Sequence, residues 1–125
     1  MFWKKKEKTI NTVTATDANF DEIVTSSKLP VLVDFWAPWC GPCRILGPLV
    51  DELAMEFKER VVVAKVNVDG NPGLSQHFKV KSIPTIIFVK NGKLVERISG
   101  MVPKPNLAEM LEDLIVLGVE NEEEE

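Results

Sequence analysis

The stretch Val31-Leu32-Val33-Asp34-Phe35-Trp36-Ala37-Pro38-Trp39-Cys40-Gly41-Pro42-Cys43 decides how the rest of the chain is read. It opens with a near-continuous apolar run, Val31 to Ala37, the pattern of a strand covered on both faces. It ends on two cysteines separated by Gly41-Pro42. A long helical pattern follows, with Leu46, Leu49, Val50, Leu53 and Phe57 on one face. Pro48 lies inside that pattern and is expected to kink the helix. The cysteine pair therefore falls at a strand-to-helix junction. Free N–H groups and the positive end of the helix dipole gather at a helix start. A thiolate at Cys40 is stabilised there, and the thiolate is the form that attacks disulfides. Cys43, one turn further in, is placed to attack a mixed disulfide formed at Cys40. Pro42 in the first helical turn costs no needed donor.

Outward from this junction, strand and helix signals alternate. Residues 10–14 are rich in β-branched side chains (Ile10, Thr12, Val13, Thr14) and read as a short strand. Asp17 reads as the N-cap of a helix with apolar positions Phe20, Ile23 and Val24, broken by Leu29-Pro30. Val61 to Val68 reads as a second buried strand. Asn71-Pro72-Gly73 is turn chemistry, followed by a short helix near Leu74–Phe78. Thr85 to Lys90 is a strand, Asn91-Gly92 predicts a type I′ hairpin, and Lys93 to Ser99 returns antiparallel. A final amphipathic helix carries Leu107, Met110, Leu111, Leu114 and Ile115, with a start anywhere from Pro103 to Asn106. The order β-α-β-α-β-α-β-β-α predicts an α/β fold, a central mixed five-stranded sheet flanked by four helices. Residues 1–8 read as a flexible arm, 9–118 as the domain and 119–125 as an acidic disordered tail.

A chain of 125 residues fits one domain that needs no metal or disulfide to hold its core. The net charge of −4 argues against a nucleic-acid footprint, which wants a basic face. No apolar run approaches the ~20 residues of a membrane span. The lysines of Met1 to Lys8 fall where a secretory signal needs apolar residues, so a cytoplasmic protein is expected. Phe2 and Trp3 beside those lysines read as part of the arm rather than as a membrane anchor. With 2 cysteines and 1 histidine, other readings of the pair are weak. A structural disulfide across two residues closes too small a loop to restrict the unfolded chain much. A zinc site would need two further ligands, and His77 is alone. His77 itself reads as a surface or half-buried helix residue.

Two charges interrupt apolar strands, Asp34 in Val31–Trp36 and Lys65 in Val61–Val66. An isolated buried charge costs several kcal/mol, so each must be paired, neutralised or wetted by a cleft. Neighbouring parallel strands could put the two side by side. Burial would raise the pKa of Asp34 toward neutrality and Lys65 would pull it down.

The segment Val33 to Cys43 closely resembles the active-site segment of thioredoxins. So do Asn67-Val68-Asp69, Asn71-Pro72-Gly73, Ser82-Ile83-Pro84-Thr85 and Lys90-Asn91-Gly92, in order over roughly residues 10–118. The resemblance implies a thiol–disulfide oxidoreductase that reduces disulfides in target proteins, with Cys40 and Cys43 as its redox pair. It implies that Asp34 and Lys65 form a charge pair beneath the active site, and it suggests Asp34 as the acceptor for the proton of Cys43, directly or through water. It also implies a cis bond at Ile83-Pro84, and a shallow apolar surface around Cys40 lined by Trp39, Gly41, Pro42, Ile83, Pro84, Gly100 and Met101. Ser82 and Ser99 depart from residues common in the family and bear on the polarity of that surface. The resemblance further implies a monomer without a bound cofactor, regenerated by a flavin-dependent thioredoxin reductase drawing on NADPH. The chain carries no Gly-rich dinucleotide fingerprint. Two rival readings remain open on the sequence. One is an oxidase or isomerase of the same fold, and the other is a redox-independent binding subunit of a larger assembly.

Overall fold

A computed structural model describes residues 11–118; the arm at 1–8, the tail at 119–125 and Ile10 of the first expected strand lie outside the described residues. Five strands, β1 (Thr12–Thr14), β2 (Val31–Trp36), β3 (Val62–Asn67), β4 (Thr85–Lys90) and β5 (Lys93–Ser99), form one sheet in the order β1-β3-β2-β4-β5. β3 runs parallel to both β1 and β2, whereas β4 is antiparallel to β2 and β5. The helices are α1 (Asp21–Thr25), α2 (Gly41–Glu56), α3 (Pro72–His77) and α4 (Lys104–Val116). The expected mixed sheet with four helices is therefore the observed one. None of the described helices is long and apolar enough to cross a membrane.

β2 is central, and Val31 to Phe35 are all buried because both sheet faces are covered. On one face, Leu46, Val50 and Leu53 of α2 and Leu107 and Leu111 of α4 pack against the sheet, where Leu32 is one of the strand residues. On the other face, Phe20, Val24 and Leu74 meet Val31, Val33 and Phe35. Each large side chain so buried contributes roughly 1.5–3 kcal/mol. Strand residues alternate between faces, so Asp34 shares the α2 face with Leu32, and Lys65 shares it with Val63. In the β2–β3 register Asp34 and Lys65 are direct partners. Both charges thus point into the layer between the sheet and α2.

Several local expectations are corrected. α1 is a single π-type turn of 5 residues rather than a helix capped by Asp17. Thr16 closes the turn that precedes α1, with its Oγ1 accepting from the N–H groups of Ala18 and Asn19 at 3.2 Å each. The Asp17 carboxylate instead accepts from Gly73 N (3.0 Å) and Leu74 N (2.8 Å), in the first turn of α3. Asn71 steers it there, because Asn71 Oδ1 accepts from Asp17 N at 2.8 Å. A Cβ on Gly73 would lie 3.0 Å from Asp17 Oδ2, so glycine leaves room for this close approach. Pro72 and Gly73, read as turn, are the first residues of α3. Proline is tolerated there because the N–H it lacks has no helical partner. The start of α4 falls at Lys104, with Pro105 in its first turn. α2 runs on through Pro48, and proline leaves the Arg44 carbonyl without its usual i+4 donor. Asn91 and Gly92 both have positive φ, 53° and 78°, the signature of the expected type I′ turn. The hairpin also carries a register shift at Phe88/Val89.

Candidate active site

The end of β2 delivers Trp36 to the loop Ala37–Trp39, and α2 starts directly after Cys40. Cys40 is the N-cap residue, with extended backbone at φ −89° and ψ 111°. Its sulfur does what a capping oxygen usually does, since the backbone N–H of Cys43 donates to Cys40 Sγ at 3.2 Å. Cys40 and Cys43 are joined as a disulfide with their Cα atoms 5.3 Å apart. A negative charge at Cys40 Sγ would therefore meet an amide already aimed at it and the positive end of a 16-residue helix. Both cysteines are nearly buried, Cys40 at 5% exposure.

The Ile83-Pro84 peptide is cis. The loop brings the Ile83 carbonyl to 3.7 Å from Cys40 Sγ, within reach of the reduced thiol as donor. Gly100 N donates to the Pro84 carbonyl at 2.8 Å, which ties the Gly100–Met101 segment to the same loop. Around Cys40, Gly41 and Pro42 are exposed, as are Trp39 (67%) and Met101 (48%). Ile83 and Gly100 are half-buried. Pro84, also expected at this surface, is buried. Gly100 has φ +92°, a conformation that suits glycine, and the position of its missing side chain is open space. An open groove of about 680 Å³ continues from Trp39 and Ile83 past Val68 and Val80 to Lys81 and Ser82.

Beneath the cysteines lies a cavity of about 200 Å³ lined by Asp34, Cys43, Gly47, Asp51 and Lys65, among others. Asp34 is 2% exposed, and its Oδ1 has no hydrogen-bond partner among the described residues. Its pKa is raised from 3.8 to about 6, chiefly by burial; the charge of Lys65 lowers it and that of Asp51 raises it. The Lys65 charge acts on Asp34, but its close ion contact is made elsewhere. Lys65 Nζ lies 2.7 Å from Asp51 Oδ1, a close ion contact that lacks hydrogen-bond angles. The side chains of Lys65 and Asp51 are 22% and 30% exposed, whereas burial favours the neutral form of Asp34 and so makes it the weaker partner for an ammonium.

Two residues escaped the sequence reading. Asp69 accepts from Trp39 Nε1 through both carboxylate oxygens at 3.1 Å and so fixes the indole beside Cys40. Nothing local marks it, because it is 30 residues from Trp39. Asp51 did leave a signal. Cys43, Gly47 and Asp51 recur every four residues, a stripe along α2 that faces the cavity. His77 is exposed and packs edge-on against Phe78 with ring centroids 4.6 Å apart, away from the cysteines' surroundings.

Comparison with known proteins agrees with this geometry. The sequence model of the family described as Thioredoxin matches residues 11–113. The chain is 50% identical over 97 residues to Thioredoxin 1 of Synechococcus elongatus, covering 78% of this chain and 91% of that protein. It is 47% identical over 95 residues to Thioredoxin of Haemophilus influenzae, covering 76% and 89%. It is 47% identical over 96 residues to the M-type chloroplastic thioredoxin of Spinacia oleracea, covering 77% of this chain but only 53% of that one. With a matching family model, relatives at this identity and a cysteine pair held at a helix start, the chain belongs to the thioredoxin family.

Proposed function

We propose that the protein reduces disulfides in other proteins by dithiol–disulfide exchange, with Cys40 as attacking thiolate and Cys43 as resolving thiol. The observation that carries this reading is the Cys43 amide aimed at Cys40 Sγ at the start of α2. The Cys40 thiolate attacks one sulfur of a target disulfide, forms a mixed disulfide and expels the other target sulfur as a thiolate. Cys43 then gives its proton to Asp34, directly or through water in the cavity they share. Its sulfur attacks Cys40 Sγ, the second target sulfur leaves, and the Cys40–Cys43 disulfide remains. Two electrons have passed to the target. The groove surface of Trp39, Gly41, Pro42, Ile83, Gly100 and Met101 receives the target chain. Lys65 tempers the proton affinity of Asp34.

Electrons return from NADPH through a flavin-dependent thioredoxin reductase, and the protein works as a monomer in a reducing compartment such as the cytoplasm. Family membership supports these statements. The test is NADPH consumption with a thioredoxin reductase and a protein disulfide. Cys40→Ser is expected to abolish turnover, and Cys43→Ser to accumulate a mixed disulfide at Cys40. Turnover surviving in Cys40→Ser would refute the assignment.

A further inference from the structure

Asp51 has no part in the cycle above, yet the structure ties it to that cycle. Lys65 and Asp34 are register partners on neighbouring strands and face the same layer. On that placement alone Lys65 would be expected to turn its ammonium to Asp34. It turns to Asp51 instead, at 2.7 Å. The ammonium passes beside Gly47 on the way, where the position of a Cβ would be 3.7 Å from Lys65 Nζ, an ordinary contact distance. The charged and titratable groups around the cavity are Asp34 from β2, Lys65 from β3, and Cys43, Arg44 and Asp51 from α2. Asp34 and Cys43 are buried, while the side chains of Asp51 and Lys65 are partly exposed.

We propose that Asp51 is a positioning residue for the resolving step: it holds the Lys65 ammonium against its own carboxylate and so leaves Asp34 free to accept the Cys43 proton. A Lys65 turned fully onto Asp34 would hold a stable carboxylate there, and a more stable carboxylate is a weaker proton acceptor. The negative charge of Asp51 acts in the same direction, because it disfavours a second anion nearby. This inference rests on Asp34 being the acceptor, and its test separates the two claims.

The carboxyl titration of Asp34 is followed by carbon NMR in the oxidised protein, for the native chain, Asp51→Asn and Asp51→Glu. In parallel, release of the mixed disulfide is timed against pH. Removing the Asp51 charge takes away a like charge and frees Lys65 to approach, and both changes favour ionised Asp34. The Asp34 midpoint therefore falls by about one pH unit in Asp51→Asn. The acid limb of release shifts with it, the plateau drops, and Asp51→Glu restores both. An Asp34 midpoint that stays in place in Asp51→Asn overturns the role of Asp51, whatever Asp34→Asn does to release. A midpoint that falls while the release profile stays fixed overturns the acceptor reading of Asp34, and the resolving-step role of Asp51 with it.

Discussion

Asp34 shows how one residue can oppose stability and serve chemistry. Burial raises its pKa from 3.8 to about 6, so the folded state holds its proton more tightly than the unfolded chain. The associated stability is complete below about pH 4 and is lost as pH rises through about 6. A proton held more tightly by about two powers of ten corresponds to about 3 kcal/mol. Asp34→Asn is therefore expected to stabilise the oxidised protein by up to about 3 kcal/mol near pH 8 and by little near pH 4, as read by urea unfolding. An equal gain at both pH values would count against burial as the cause. The same substitution should slow release of the mixed disulfide about tenfold or more near neutrality and flatten its pH profile. At Trp39, the paired bonds from Nε1 to Asp69 hold an exposed indole in place. Asp69→Ala should lower kcat/KM for a protein disulfide by roughly twofold to tenfold, chiefly through KM, because binding geometry rather than sulfur chemistry is lost. A fall confined to kcat would refute that assignment.

Among the elements, the short helix α3 depends on a partner far away in sequence. Its N-cap residue Asn71 makes no side-chain cap bond, and Asp17 supplies the acceptor instead. Asp17→Ala should cost about 1 kcal/mol, up to about 2, measured by denaturant unfolding. An unchanged midpoint would show the cap to be idle. The same contact explains why Asp17 misled the sequence reading. An aspartate just before an apolar helical pattern has the chemistry of a local cap, and only the folded chain reveals that the bonded N–H groups are 56 and 57 residues on. Pro72-Gly73 likewise reads as a turn until the first turn of α3 absorbs both. The far end of α4 is closed in a similar cross-element way, with Lys90 Nζ donating to the carbonyls of Leu114, Ile115 and Leu117. By contrast, β2 and α2 were legible because their signals, a continuous apolar run and a helical stripe, lie wholly within the element.

Over the molecule as a unit, the sheet order places β2 at the centre and aims its end at the start of α2. That single junction was readable from residues 31–43, since strand, cysteines and helix follow one another in the chain. The charge network below it was not, because Lys65 had two acids within reach and only packing decides between Asp34 and Asp51. The covered sheet gives the site its character: a two-sided core, a buried carboxyl sharing a cavity with Cys43, and a nearly buried Cys40 whose sulfur is met by a helix amide. The proposed cycle depends above all on this amide and helix start stabilising Cys40 as an anion. Titration of the thiolate ultraviolet absorbance in reduced Cys43→Ser is the decisive measurement. A Cys40 midpoint clearly below the roughly 8.5 of free cysteine is expected, and a midpoint at or above that value would overturn the role given to the helix start.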